Sequence, residues 1–336
     1  MQFSKYFLKW FENFRTTGRA HYTVNKYIAD WKYIDNHSIG RKEMKKITLN
    51  DAQTLIRDYG SKRSKATVYD FKGHVTACFK HAQAVGDVKM NPFEIVEAVF
   101  KEQKYTQQQL KEKRDEKKSL ELDEYIRLKS FILNWLNLNL DKEPFAYTGL
   151  YNKQGYAMQT RVMVILMGLK TGARFSEILG ITKSDIDYEK RMITIDKTWD
   201  YKKTNPDFLP TKNIASMREI FVDEELIEVI IKYVGWLEKH DVPTQKNTLF
   251  ILKNRRLHNS TINHTLAAFM EVVGIEPLTF HKLRHSHISI LIAEGVQLQV
   301  IAKRVGHTDT NMIQRVYGHL LVETEEKENE RILKII

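Results

Sequence analysis

Residues 280–287 read "FHKLRHSH", with three histidines and an arginine in eight positions. His281 and His285 stand four apart, a spacing that puts both on one face of a helix. A zinc helix of the protease type would carry His-Glu-x-x-His. Here Lys282, Leu283 and Arg284 fill the gap, and two cations between the ligands repel a dication. His287 lies about 200° round the helix from His285 and faces away. No metal is expected here. Read as His-x-x-Arg, His281 and Arg284 share a face. They combine a guanidinium fork with an imidazole donor, which suits a non-bridging phosphate oxygen.

The rest of the chain bears on which phosphate that is. Its 336 residues are too many for one typical domain and comfortable for two. A hydrophobic fraction of 42% supports a sizeable core. The single cysteine, Cys78, excludes an internal disulfide framework and suits a reducing cytosol. The longest strongly apolar run, "VMVILMGL" at 162–169, is too short to span a bilayer. The amino-terminal stretch lacks the uninterrupted apolar segment of a signal peptide. The net charge of +11 is unevenly spread. Residues 1–118 hold 24 Lys+Arg against 14 Asp+Glu, whereas the remainder holds 29 against 28. A basic amino-terminal module on a near-neutral body points to a polyanion partner.

Residues 1–100 carry apolar side chains at helical spacing, as in "YFLKWFENF" and "ATVYDFKGHVTACFKHAQAV", and predict a bundle of four or five helices. Thr48 or Asn50 caps one helix that ends on Gly60, and "NPF" at 91–93 interrupts the pattern. The basic positions a nucleic acid would use there are Lys62, Arg63, Lys65 and Lys72. Residues 101–118 have few core side chains and read as a basic inter-domain linker. From 119 the pattern is globular again. Helices are expected at 158–170, after the glycine turn in "TGARFSEILGI", in "EELIEVIIKYVGWLEKH" and in "STINHTLAAFMEVV". "MITIDKTW", "REIFV" and "TLFIL" read as strands, and 200–217 as a long polar connection. The tail 320–336 reads as a final helix.

The order matters more than any one motif. Arg174 follows a glycine turn, and Lys212 lies in "PTKNIASMREI". "FHKLRH" comes next, and "VGHTDTNMIQRVYGHL" then puts His307 ten residues before Tyr317. This succession resembles the tyrosine recombinase (phage integrase) family over about 119–320, and the amino-terminal helices resemble that family's core-binding domain. The resemblance implies a mainly α fold with a small antiparallel β-sheet. It divides the chain into a helical (SAM-like) core-type DNA-binding domain at 1–100, a linker at 101–118, and a catalytic domain at 119–336 with a carboxy-terminal tail helix.

The chemistry such a set offers is metal-free strand cleavage. Tyr317 is the candidate nucleophile, forming a 3′-phosphotyrosine bond. Arg174 and Arg284 grip the non-bridging oxygens. Lys212 is the general acid for the leaving 5′ oxygen. His281 and His307 orient the phosphate and assist deprotonation of the phenol. Glu177 buttresses Arg174, and His285, His287 and His319 are read as peripheral. No cofactor is expected.

The resemblance further implies double-stranded DNA attachment sites, a homotetramer on DNA with the tail docked on the next subunit, an excisionase, a host DNA-bending protein, and a place in the bacterial cytoplasm at the nucleoid. The chain begins directly with the core-binding helices, so either the element is a simple one or a small arm-binding domain is missing. The long 199–217 connection looks like integrases of phages and conjugative elements of Gram-positive bacteria. Competing outcomes for such a chain are a type IB topoisomerase, a hairpin telomere resolvase, or a non-catalytic DNA-binding regulator.

Overall fold

The structure, a computed structural model, describes residues 1–16, 21–101, 119–143, 157–203, 205–211, 213–253, 255–317 and 333. Lys212, His319, most of the linker and nearly all of the tail lie outside the described residues. The chain divides into two compact units, Met1–Arg114 and Asp115–Ile336. Both are helical, and among the described residues antiparallel strands occur only in the second, in keeping with the expected mainly α class.

The first unit is built from α1 (Phe3–Phe14), α2 (His21–Asn36), α3 (Leu49–Gly60) and α4 (Lys65–Ala84). On α1, Phe3, Phe7, Trp10 and Phe11 are buried at the three- and four-residue spacing of one helix face. Thr48 is the N-cap of α3 and forms a capping box with Asp51. The core is largely aromatic. Tyr59 and Phe71 stack with centroids 3.8 Å apart, and Phe3 meets Phe79 edge-on at 5.2 Å. Buried Asp30 accepts from Tyr59 at 3.3 Å and lies 2.6 Å from His74 Nδ1, so this buried carboxylate has partners for both oxygens.

The second unit is organised round α6 (Met158–Thr171). Every residue of that helix except Arg161 is buried. A helix apolar on all sides needs neighbours on all sides. These are α5 (Leu122–Asn139), α8 (Glu224–Lys239), α9 (Asn259–Val272) and α10 (Phe280–Ala293). Gly168 lets the Phe280 ring lie against α6, since a Cβ there would stand 2.5 Å from it. A short helix, α7 (Phe175–Leu179), follows α6. Next come α11 (Leu298–Val305) and a helical segment at 311–317, designated α12.

Two expectations about strands need correction. "MITIDKTW" is not one strand. It breaks at Asp196 into β2 (Met192–Ile195) and β3 (Lys197–Trp199), which serve different sheets. β2 lies between β1 (Ile186–Asp187) and β5 (Arg218–Phe221), with Ile193 opposite Ile220. β3 pairs with β4 (Phe208–Pro210), so the polar connection contains a hairpin arm. "TLFIL" is not a strand either. Leu249–Leu252 are buried, but Thr248 and Leu252 make only isolated bridges. The backbone partners come from elsewhere: Leu249 N donates to Ile181 O, and Gln245 N to Ile251 O. Burial alone, without a ladder, explains that apolar run.

Candidate active site

The site begins where α6 ends. Gly172 caps α6 in the left-handed region with φ +64°, and a Cβ there would stand 2.7 Å from the His287 ring. The turn delivers Arg174 to the N-cap of α7. Glu177 returns along α7 and accepts twice from Arg174, from the backbone N at 2.8 Å and from Nη1 at 2.7 Å. The other face of this carboxylate is taken by Arg218, whose Nη2 donates to Glu177 Oε2 at 2.9 Å with both side chains almost wholly buried. Burial works to raise the Glu177 pKa, but the Arg218 and Arg174 charges prevail and hold it below the usual range.

Arg218 ties three parts of the unit together. Besides Glu177 it donates to Ser216 O at 2.9 Å, beside the polar connection, and to Arg304 O at 2.7 Å, near the end of α11. Gly306, at φ +70°, caps α11 against this guanidinium. A Cβ there would lie 2.9 Å from Arg218 Nη1. His307 follows directly, and its Nδ1 is buried without a hydrogen-bond partner. Burial, then the charges of Arg284, Arg174 and Arg218, push its pKa down to about 4, so the ring is neutral at pH 7.

Helix α10 brings the remaining groups. Arg284 is 5% exposed and donates from Nη1 to Gly172 O at 2.9 Å and from Nη2 to Val305 O at 2.6 Å. Burial and the nearby Arg174 charge lower its pKa to about 9, which leaves it cationic at pH 7. His281, one turn earlier, keeps an open face. The protein packed on its other side, with Arg284 and Arg174, disfavours its imidazolium. Arg174, Arg284 and His281 converge on one pocket of about 230 Å³, whose wall also includes Ser176, Tyr201 and Asn259. Asn259 Oδ1 is buried there and unpaired. The pocket holds two guanidinium groups, an imidazole and no carboxylate of its own, the composition of an anion site.

Tyr317, on α12, is 5% exposed and packs in a small apolar cluster with Ile288, Ile292, Ile301, Val305 and Ile313. Burial raises its phenol pKa while the Arg284 charge opposes that rise, so the hydroxyl lies within the field of that guanidinium. The hydroxyl is 2.5 Å from His285 Nδ1. His285 is therefore not peripheral, as its position in the sequence suggests. Its ring also meets that of His281, 5.2 Å away. His287 faces inward instead. It lies 3.2 Å from Leu169 O and accepts from Arg304 Nε at 3.0 Å, which closes the fold behind the Gly172 turn. Among the described residues no group of three or more His, Cys, Asp or Glu is arranged to hold a metal ion.

The model of the phage integrase family matches residues 147–324, more than half of the chain. The chain belongs to the phage integrase family. It is a site-specific tyrosine recombinase, a DNA strand-transferring enzyme. It is similar to the integrase of Staphylococcus phage L54a, at 25% identity over 343 residues, covering 98% of this chain and 91% of that one. It is also similar to the tyrosine recombinase XerC of Treponema denticola, at 27% identity over 192 residues, covering 54% and 59% of the two chains. In fold it matches a Tn1549 transposon integrase solved with transposon right-end DNA, with TM-score 0.70, 18% identity and 99% and 100% coverage.

In this recombinase Lys197, another lysine of the region between β2 and β5, is engaged elsewhere. Lys197 is held by Asp185 at 2.6 Å and by Asp196 at 2.9 Å. The basic positions of the first unit divide. Lys62 and Lys65 are exposed at the start of α4 and Lys72 is half-buried along it, whereas Arg63 lies 4.0 Å over the Tyr59 ring and donates to Tyr59 O at 2.8 Å. Arg218 and His285 went unrecognised in the sequence. Arg218 occupies an ordinary inward position of a strand. The partner of His285 is 32 residues away, beyond the reach of local spacing.

Proposed function

We propose that this recombinase cleaves and rejoins duplex DNA through Tyr317, with Arg174, Lys212, His281, Arg284 and His307 as the other catalytic residues and Glu177 supporting Arg174. A scissile phosphate in the anion pocket receives the free N–H groups of Arg174 and Arg284 on its non-bridging oxygens. Their charge offsets the negative charge that grows on five-coordinate phosphorus. His281 and His307, both neutral, donate hydrogen bonds without adding charge. The Tyr317 oxygen bonds to phosphorus as the bond to the 5′ oxygen breaks, and Lys212 supplies the proton that the leaving oxygen needs. The phosphodiester energy is kept in the tyrosyl linkage, so rejoining to a second 5′ end needs no nucleotide cofactor.

What supports this reading is the convergence of Arg174, His281 and Arg284 on one pocket, with the Tyr317 hydroxyl 2.5 Å from His285 on the same helix as His281 and Arg284. Family membership makes double-stranded DNA the substrate. The likeness to a phage integrase along 98% of the chain supports integration and excision of a mobile element as the outcome. The basic first unit is proposed as the core-type DNA-binding domain. A homotetramer, an excisionase and a host DNA-bending protein are proposed as the assembly on attachment-site DNA.

The test is trapping on a nicked suicide substrate made from the element's ends, with mass spectrometry of the DNA-linked peptide. The adduct is expected on Tyr317, and Tyr317→Phe is expected to form none. An adduct retained by Tyr317→Phe overturns the assignment. Relaxation of any plasmid without recombinant product would instead mark a topoisomerase.

A further inference from the structure

The nucleophile assigned above needs somewhere to leave its proton, and this inference rests on that assignment. A phenol at pH 7 is protonated, and here burial makes ionisation harder still. Arg174, Arg284 and His281 are ill-suited to take the proton. Arg174 and Arg284 are cations, with Arg284 committed to two backbone carbonyls. His281 faces the anion pocket, where a donor is wanted. The partner of the Tyr317 hydroxyl is His285, whose Nδ1 lies 2.5 Å away.

We propose that His285 is a further catalytic residue of the strand-transfer reaction, the acceptor of the Tyr317 hydroxyl proton.

The placement follows from the helix. His285 is one turn after His281 and next to Arg284, so α10 presents phosphate donors and a proton acceptor from a single rigid element. Its ring is half-buried beside Tyr317, and that burial, then the His281 ring and the Arg284 and Lys282 charges, disfavours its imidazolium and leaves it able to accept. With the proton on Nε2, Nδ1 offers a lone pair to the hydroxyl. In cleavage, the proton passes from the Tyr317 oxygen to Nδ1 and the oxygen bonds to phosphorus. The 5′ oxygen then departs with a proton from Lys212. In rejoining, a DNA 5′ hydroxyl gives its proton back to neutral Lys212 and bonds to phosphorus, the tyrosyl oxygen leaves, and the His285 imidazolium returns its proton to that oxygen. The two steps are mirror images, as a reversible strand exchange requires.

The test separates proton transfer from mere packing. The rate of adduct formation is measured on a suicide substrate for His285→Ala and His285→Asn. Both variants are expected to fall by about 10²–10⁴-fold, with thermal melting and DNA binding retained for His285→Asn. Asn keeps an acceptor for the hydroxyl but cannot carry its proton away. Replacing Tyr317 by a fluorinated tyrosine, whose phenol ionises more readily, is expected to shrink the deficit by about tenfold or more. A substrate with sulfur in place of the scissile 5′ oxygen, which needs no proton to leave, is expected to leave the deficit in place. A full rate for either His285 variant overturns the proposal. So does a deficit that is indifferent to fluorination or cured by the sulfur substrate. In all of these outcomes an adduct lost in Tyr317→Phe keeps the nucleophile assignment intact, so the two failures are told apart.

Discussion

The two units handle positive charge in opposite ways. In the first, Lys62 and Lys65 are exposed just before and at the start of α4, with the Lys65 ammonium 5.8 Å over the Tyr69 ring, and the nearby Arg63 lies on the Tyr59 ring. In the second, Arg218 and Arg284 are sunk into the protein, and their forks are held by backbone carbonyls and one carboxylate. An exposed cation meets polyanion mainly through screened, sequence-blind attraction. A buried, fixed guanidinium has already lost its hydration and its freedom, so it acts at full strength on charge that develops beside it. The first arrangement suits holding DNA and the second suits reacting with it.

Variants can break that contrast, and the largest effect belongs to the buried pair. Arg218→Met leaves Glu177 with one partner where it had two, and is expected to destabilise the second unit by about 3–5 kcal/mol, read as a lowered denaturation midpoint. Adding Glu177→Gln to that variant should recover part of the loss. A double variant no more stable than the single would mean that Arg218 acts through packing alone.

Next comes Arg284→Lys. Lysine keeps the charge but cannot reach Gly172 O, Val305 O and a phosphate together. A fall of about 10²–10³-fold in cleavage rate is expected, with DNA affinity little changed, and loss of affinity without loss of rate would contradict it.

Acid provides a third probe. The folded pKa values of His307 and His287, about 4 and about 3, lie below the ordinary value of 6.5. Below 6.5 the unfolded chain binds protons that the folded one refuses, so stability is full above that pH and declines as pH falls toward 4. Melting at pH 7.5 and pH 5 should differ, with the lower midpoint at pH 5. Equal midpoints would mean that neither ring is held neutral.

The smallest effect is expected at the surface. Lys62→Ala and Lys65→Ala should each reduce the slope of log affinity against log salt by about one and leave the cleavage rate at saturating DNA unchanged.

The same contrast explains what the sequence made readable. The helices of both units followed from apolar spacing, because one buried face imprints a 3.6-residue period. The candidate residues Arg174, His281, Arg284, His307 and Tyr317 stood out because each lies in a compact, polar, unusual stretch. Arg218 did not, since its neighbours Glu219 and Ile220 alternate as any half-buried strand does, and the carboxylate it meets is 41 residues earlier. The apolar "TLFIL" segment misled for a related reason. Its composition reports burial correctly, but whether a buried run forms a ladder depends on what lies beside it in space. The 192–199 stretch split because β2 and β3 have different partners, and pairing is not a local property.

Gly172 and Gly306 have no side chains and take no part in any proposed step, yet each closes against a group that orders the site. A recombination screen over every single substitution would accordingly score these two silent positions among its most intolerant. Alanine there should fail almost as badly as changes to the arginines, and a search for chemistry based on sensitivity alone would count two scaffolding positions as reactive ones.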